Sequence, residues 1–537
     1  MSFDPPYYPI IYIRGFAATM SEIEETVATP YMGFNSGSTK IKQDHRGDIL
    51  RFIFESPLIR FMKDEDYKDT YMDGDLIPPG HEVPPKSIWI FRYYEPVSED
   101  LGEGDRREIP RFAADLRDFI VNTVRDRVCG DDAEARRQFK VYLVAHSMGG
   151  LIARCYLQNI CVNGLSPEDQ EEFGYTSEEL ELTDPPADPL VDKVFTYGTP
   201  HNGIDFKGVN VPNLGGLDKF HVRNFNRKVM REYLDLPEDT DRVDSLNGRF
   251  PTERFFSFVG TNFRDYEAFF GLSKKVTGEM SDGLVMIRNA VVKNSPRAFA
   301  YRSHSGHYGL VNSEEGYQNL RRFLFGQTKV DATLVVDEIT LPPRVQKEKD
   351  EGKPIRASYH IETAARVRKA SYFLHERRVH QNSAIHAKYD AIVKEQKPVY
   401  LFSGFLYSKE QAQNVEDQSL AFSINLGIQV PIYEIDRRLW FDGYYEGSYI
   451  FEDEVTFHVY PEENRAEYGL RSADGFGNTH PPDEEELEVD EDGEITRLSI
   501  PLGFDAGMEN PPRPGFRGKL LLEVSPWNSH EQDSHMV

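Results

Sequence analysis

Val141-Tyr142-Leu143-Val144-Ala145-His146-Ser147-Met148-Gly149-Gly150 packs a strand, a turn and the start of a helix into one short run. Residues 141–145 are continuously apolar, as a strand buried on both faces must be, and Gly149-Gly150-Leu151-Ile152-Ala153-Arg154 reads as a helix. A tight turn between two such elements forces its central residue into an unfavourable backbone conformation and crowds the flanks. Small residues are therefore needed two before and two after the centre, and Ala145 and Gly149 stand there. The turn lifts the Ser147 hydroxyl above the sheet, and the N–H of Met148, at the positive end of the helix, is aimed at a reacting oxygen. His146, adjacent in the turn, points elsewhere and is expected to be structural.

The texture around this turn is that of an α/β unit. Apolar runs recur at Pro9-Ile10-Ile11-Tyr12-Ile13, Ser87-Ile88-Trp89-Ile90-Phe91, Val194-Phe195-Thr196-Tyr197, Phe255-Phe256-Ser257-Phe258-Val259 and Ala298-Phe299-Ala300-Tyr301. Between them, Ile109, Phe112, Leu116, Phe119, Ile120, Val124 and Val128 follow the three-and-four spacing of one helical face. Strands without polar alternation, separated by helices, predict a mostly parallel sheet covered on both sides. Residues 205–254 are polar and charged, with a helical patch near 229–234. They read as an insertion at the active face, expected to act as a lid, with a plain surface insertion as the alternative.

Beyond residue 328 the pattern changes to short strands separated by turns. Thr333-Leu334-Val335-Val336, Glu338-Ile339-Thr340-Leu341, Tyr359-His360-Ile361, Tyr372-Phe373-Leu374, Val399-Tyr400-Leu401-Phe402, Ala421-Phe422-Ser423-Ile424, Val455-Thr456-Phe457-His458-Val459 and Lys519-Leu520-Leu521-Leu522-Glu523-Val524 predict a β-rich, sandwich-like domain over 329–537. The acidic run 483–494 reads as a solvated loop, because its spacing matches no calcium-binding helix–loop–helix. His375, His380 and His386 fit no common zinc spacing, so no metal is expected.

Composition narrows the function classes. Lys and Arg number 62 against 89 Asp and Glu, a net charge of −27 over 537 residues. That excess opposes a nucleic-acid partner, which needs a basic footprint. No run is apolar and long enough to span a bilayer, and the start Met1-Ser-Phe-Asp-Pro-Pro lacks the charged-then-apolar order of an export signal. Cys129, Cys155 and Cys161 are too few for a disulfide framework. The expectation is a soluble, cytoplasmic protein, with signal-independent export left open.

Residues 141–156 resemble the nucleophile elbow of the α/β-hydrolase superfamily, specifically its lipase-like branch. Phe195-Thr196-Tyr197-Gly198-Thr199-Pro200-His201-Asn202-Gly203 strengthens the resemblance, which covers about residues 9–325. Alanine at 145 in place of the commoner glycine is a mild departure. The resemblance implies an α/β-hydrolase fold for residues 1–328 and a chain order of nucleophile, acid, base. Asp282, in Ser281-Asp282-Gly283-Leu284-Val285, looks like the acid at a strand's end, with Asp265 as its competitor. The base is expected in Ser303-His304-Ser305-Gly306-His307-Tyr308. His307 is favoured because the family places its histidine just before the final helix; His304 is the alternative. Arg14-Gly15-Phe16-Ala17 occupies the oxyanion loop, where lipases usually show His-Gly. Phe16 joins Met148 as amide donor, with Ala17 as the alternative.

These residues imply hydrolysis of carboxylic esters of lipid type through an acyl-enzyme on Ser147, with His307 as base, Asp282 as its orienting acid and no cofactor. An acyltransferase, amidase or thioesterase would use the same residues, and a non-catalytic scaffold binding lipid or a partner is the reading from another class. For the second domain, attachment to a lipase-like unit suggests contact with substrate or peripheral contact with a lipid surface.

Overall fold

The structure, a computed structural model, describes the chain except residues 1–2, 16, 18–19, 44–48, 73–74, 79, 99–107, 165–189, 207–208, 211–221, 266–278, 307, 368–369, 411–419, 436–442, 447, 461–464, 472–482, 485–487, 490–495 and 529–537. Two units emerge. One comprises Met1–Arg297 and Arg302–Leu320, the other Ala298–Tyr301 and Arg321–Val537.

The apolar runs of the amino-terminal part form one seven-stranded sheet. Its strands are β1 (Ile10–Ile13), β2 (Lys68–Asp69), β3 (Ser87–Phe91), β4 (Val141–His146), β5 (Val191–Tyr197), β6 (Phe255–Gly260) and β7 (Arg297–Ala300). Their order is β7-β6-β5-β4-β1-β3-β2, and the pairings from β6 to β2 are all parallel. Every residue of β1, β3, β5 and β6 is buried. Such strands need helices on both faces. Helix α1 (Ile109–Asp118) buries Ile109, Phe112 and Leu116, and α2 (Met148–Cys155) is buried along its whole length. Helix α3 (Glu314–Phe325) follows β7. In the centre of the sheet Ile13 pairs with Ala145, so the chain leaves β4 into Ser147 beside the exit of β1 into Arg14 and Gly15.

The carboxy-terminal unit is antiparallel throughout. Thr328–Thr340 lies between Val399–Leu406 and Gly515–Pro526 in a five-stranded sheet. A nine-stranded sheet is built around Ile355–Val367, Leu420–Gln429 and Tyr449–Tyr460. Alternate residues of Thr328–Thr340 are buried, and Leu334, Val336, Leu520 and Leu522 share a core with Ile361, Ile424, Val455 and Phe457 of the other sheet. Two sheets closing on one apolar layer make a β-sandwich.

Several expectations change in detail. The two runs at 333–336 and 338–341 are one long strand, and the charged stretch after it contains a helix, Pro343–Asp350. Tyr372-Phe373-Leu374 precedes its strand, which is His375–Arg377. The division between units falls inside α3 at Leu320/Arg321 instead of at 328. The carbonyls of Phe323 and Leu324, in its last turn, accept hydrogen bonds from Trp527 and Asn528. Among the described residues no helix is long and apolar enough to cross a membrane.

Candidate active site

Ser147 has φ 52° and ψ −122°, a conformation that a residue with a β-carbon adopts only where its surroundings hold it. The hold is visible on both sides. The Ser147 amide donates to the Tyr197 carbonyl at 2.9 Å, and the Ser147 carbonyl accepts from the Thr199 hydroxyl at 2.8 Å. A β-carbon at position 149 would lie 2.5 Å from the Ile13 carbonyl oxygen and 2.6 Å from that of Arg14, so only glycine lets α2 start this close to β1. The amide of Met148 opens α2, where the first amides have no acceptor within the helix.

The ring beside Ser147 is that of His304. Its Nε2 lies 3.0 Å from Ser147 Oγ, and its Nδ1 lies 2.8 Å from Asp282 Oδ2. All three side chains are buried. Because the carboxylate can only accept, Nδ1 carries the hydrogen and Nε2 is left to take one from the serine hydroxyl. The second carboxylate oxygen, Oδ1, accepts from the amides of Leu284 at 3.0 Å and Val285 at 2.8 Å. Asp282 thus sits on a turn closed by a bridge between Ser281 and Met286, not at the end of a strand as expected. The turn supplies both donors that fix the carboxylate.

His304 therefore takes the position expected for His307, which lies outside the described residues. The reason is local: the His304 amide donates to the Asp282 carbonyl at 2.9 Å, and the Ser303–Gly309 bridge closes the loop behind it. Asp265, the alternative acid, is exposed and accepts a hydrogen bond from Asn262 at 2.5 Å. Phe16 also lies outside the described residues. The Ala17 amide is engaged, donating to the Tyr94 hydroxyl at 2.7 Å.

Residues that no motif had marked complete the site. Gly198 has φ +54°, and a β-carbon there would approach Asp282 Oδ2 to 2.9 Å and His304 Nδ1 to 3.2 Å. It clears the space in which acid and base meet. Tyr93 donates to the Arg14 carbonyl at 2.9 Å, and Tyr94 donates to the Gly15 carbonyl at 3.2 Å. Burial holds the Tyr93 phenol far above the ordinary tyrosine range, so it remains a donor. His146 is structural: its Nε2–H donates to the His304 carbonyl at 3.0 Å. Burial and then the neighbouring His304 ring push its pKa well down, so it stays neutral. Tyr93 and Tyr94 could have been found only as an aromatic pair just past a strand end, a signal with no specificity.

The described part of the insertion is anchored to α2. Arg154 is fully buried and donates to the carbonyls of His201 at 2.9 Å, Val243 at 2.8 Å and Ser245 at 2.7 Å. Gln158 reaches the carbonyls of Leu234 and Ser245. This part braces the elbow helix; of the rest of the lid reading, residues 207–208 and 211–221 lie outside the described residues. Among the described residues, no three His, Cys, Asp or Glu side chains are placed to hold a metal. His375 is buried against Phe402, whereas His386 stacks on His360.

Parallel strands in the order above, with a serine in the left-handed region between the central strand and its helix, identify the architecture. The amino-terminal unit has the α/β-hydrolase fold. No family model and no curated protein sequence matches the chain. Among solved structures, the mature lipase BlEst2 of Bacillus licheniformis is similar at 13% identity, over 60% of this chain and 92% of that one, with a TM-score of 0.26. Phospholipase PlaB of Legionella pneumophila is similar at 11% identity, over 82% and 90%, with a TM-score of 0.31. At such scores neither neighbour bears on what this chain does, and the chemistry is read from the site alone.

Proposed function

We propose that the protein is a serine hydrolase of carboxylic esters, acting through Ser147, His304 and Asp282. The observation that carries this reading is the continuous hydrogen-bonded line from Asp282 Oδ2 through the His304 ring to Ser147 Oγ, at 2.8 and 3.0 Å. His304 Nε2 takes the hydroxyl proton as Ser147 Oγ attacks the ester carbonyl. Asp282 stabilises the imidazolium and holds its tautomer. The oxyanion is held by the Met148 amide, and the sequence makes Phe16 the expected second donor. His304 then returns the proton to the leaving alcohol, and a water deprotonated by the same ring releases the acid.

The Gly198-Thr199-Pro200-His201-Asn202-Gly203 segment, through its resemblance to lipases, favours acyl groups of lipid type. The same triad would serve transfer to another alcohol, an amine or a thiol, so substrate class is a matter for assay.

A fluorophosphonate probe and a chain-length series of p-nitrophenyl esters, with amide and thioester controls, test the reading. Ser147→Ala and His304→Ala should each lose labelling and hydrolysis, by roughly 10⁴-fold or more in kcat, whereas His307→Ala keeps most of both. Full labelling of the His304→Ala variant, or loss confined to His307→Ala, would reassign the base. No ester hydrolysis by the native chain would remove the proposal.

A further inference from the structure

A cavity of about 380 Å³ opens beside the carboxyl end of β3, and none of Ser147, Asp282 and His304 lines it. Its size falls within the roughly 300–1,000 Å³ of small-ligand sites. Three elements wall it: residues 90–93 where β3 ends, the short ribbon of Tyr71–Met72 and Asp75–Leu76, and the face of α1 that carries Asp115 and Asp118. Beyond Asp118 the same helix widens into π turns over Phe119–Arg125, and Phe119 and Thr123 of that stretch reach the cavity. Widened turns of this kind recur where a helix lines a functional site.

Most polar groups of the wall are already engaged. Arg92, the one cation among the described lining residues, pairs with Glu95 and donates to the Val27 carbonyl at 3.2 Å. Asp115 pairs with Arg111 at 3.0 Å. The Tyr71 hydroxyl donates to the Ile90 carbonyl at 3.0 Å, and the Tyr93 hydroxyl donates to the Arg14 carbonyl at 2.9 Å. Both tyrosines therefore offer a ligand ring surface and no free proton. Two carboxylates remain. Among the described residues neither Asp75 nor Asp118 has an ion-pair partner, and Asp118 accepts from the Asn122 side-chain amide at 2.6 Å.

These leftovers select the occupant. The Arg92–Glu95 and Arg111–Asp115 pairs cancel, so Asp75 and Asp118 set the sign and an anionic ligand meets repulsion. A bare metal ion lacks its ligands, because among the described residues no three His, Cys, Asp or Glu side chains are placed to hold one. An ammonium bearing alkyl groups matches both halves of the wall: its charge suits the carboxylates, and its methyl groups suit aromatic rings. Tyr71 and Phe119 are the partly exposed rings there.

We infer that this cavity binds a small organic cation, an alkylammonium held by Asp75 and Asp118 with its alkyl groups against Tyr71 and Phe119. The same chemistry occurs in a free amine and in the choline headgroup of a lipid ester. Tyr93 places the cavity next to the loop proposed to hold the oxyanion, since its hydroxyl bonds the Arg14 carbonyl at the start of that loop.

Equilibrium dialysis of radiolabelled choline against the full chain tests this. Choline should bind saturably, and its uncharged carbon isostere, dimethylbutanol, should compete at least about tenfold more weakly. The Asp75→Asn/Asp118→Asn variant should lose about tenfold or more in affinity, with its circular dichroism and thermal unfolding as in the native chain. Absence of saturable choline binding, equal competition by the uncharged isostere, or unchanged affinity in the doubly substituted chain overturns the inference. Displacement of choline by equimolar calcium overturns it in favour of a metal site. Dihexanoylphosphatidylcholine, used below its micellar concentration, distinguishes the sources. Stronger competition than choline itself assigns the cavity to a lipid headgroup, weaker competition assigns it to a free amine, and both uphold the cation site. Binding is read without turnover, so this result stands apart from whether Ser147 cleaves esters.

Discussion

A hydroxyl group outside the proposed triad ties down the loop proposed to hold the oxyanion. Tyr94 spans the loop by donating to the Gly15 carbonyl and accepting from the Ala17 amide, on either side of residue 16. Tyr94→Phe keeps the ring and removes both bonds. Deleting an oxyanion donor outright costs roughly 10²- to 10³-fold in rate; loosening one should cost less, about tenfold in kcat with KM little changed. Steady-state kinetics on a soluble ester check this, and an equal rise in KM without a fall in kcat would mean that the tyrosine serves binding instead. Gly198→Ala is the harsher case. Its backbone is in the left-handed region, which costs a β-carbon about 1–2 kcal/mol, and the new methyl would press on the Asp282–His304 bond. It should lower kcat by about 10²-fold, short of the roughly 10⁴-fold loss expected of Asp282→Asn; native kcat in Gly198→Ala would show that the pair can shift at no cost. The bend at Ser147 was legible from its steric requirements, whereas Asp282 came from resemblance to the family's acid and stands on a turn instead of at a strand's end. His304 was assigned second place because two histidines three residues apart differ only in how the Ser303–Gly309 bridge folds the loop, and no local pattern encodes that closure.

At the scale of elements, the strands were the most readable part. Unbroken apolar runs such as Ile10–Ile13 and Phe255–Gly260 have only one place to go, a parallel sheet covered on both faces. The insertion was not readable, because its polar surface hides the fact that its backbone carbonyls are what α2 needs. Arg154 is buried, and burial pushes its guanidinium down to about 10. It remains a cation held by carbonyls of residues 201, 243 and 245. Removing it would take a donor from all three carbonyls, leaving Gln158 as a donor to that of Ser245. Arg154→Ala should therefore loosen residues 227–246 ahead of the sheet, raising their amide hydrogen exchange by about 10²-fold or more, with protection of β4 and β5 little changed. Exchange in that segment equal to the native rate would show that apolar packing by Met230, Leu234 and Leu246 suffices. The helix that follows Ser147 is thus braced by a stretch whose sequence looks like surface.

Across the whole molecule, burial of imidazoles ties stability to pH. His146 and His201 in the amino-terminal unit and His375 in the sandwich are all pushed well below the ordinary histidine value by burial. In the unfolded chain each takes up a proton near pH ~6.5, whereas the folded chain resists doing so until much lower pH. The unfolded state then binds more protons, so stability is full above about pH 6.5 and declines as pH falls from there, by at most about 1.4 kcal/mol per unit for each group. His375 is the cleanest probe: neither ring nitrogen has a hydrogen-bond partner among the described residues, and the ring stacks on Phe402 with centroids 4.6 Å apart. Calorimetry between pH ~7.5 and ~5.5 should find the native transition moving to lower temperature with acid. In His375→Phe, which keeps an aromatic ring in the same apolar slot, the transition of the carboxy-terminal unit should fall less steeply with acid, the remaining slope coming from groups such as His360 and His386, which burial also lowers. A slope in the variant as steep as in the native chain would mean that His375 takes up its proton in the folded protein and that the acid response comes from other groups.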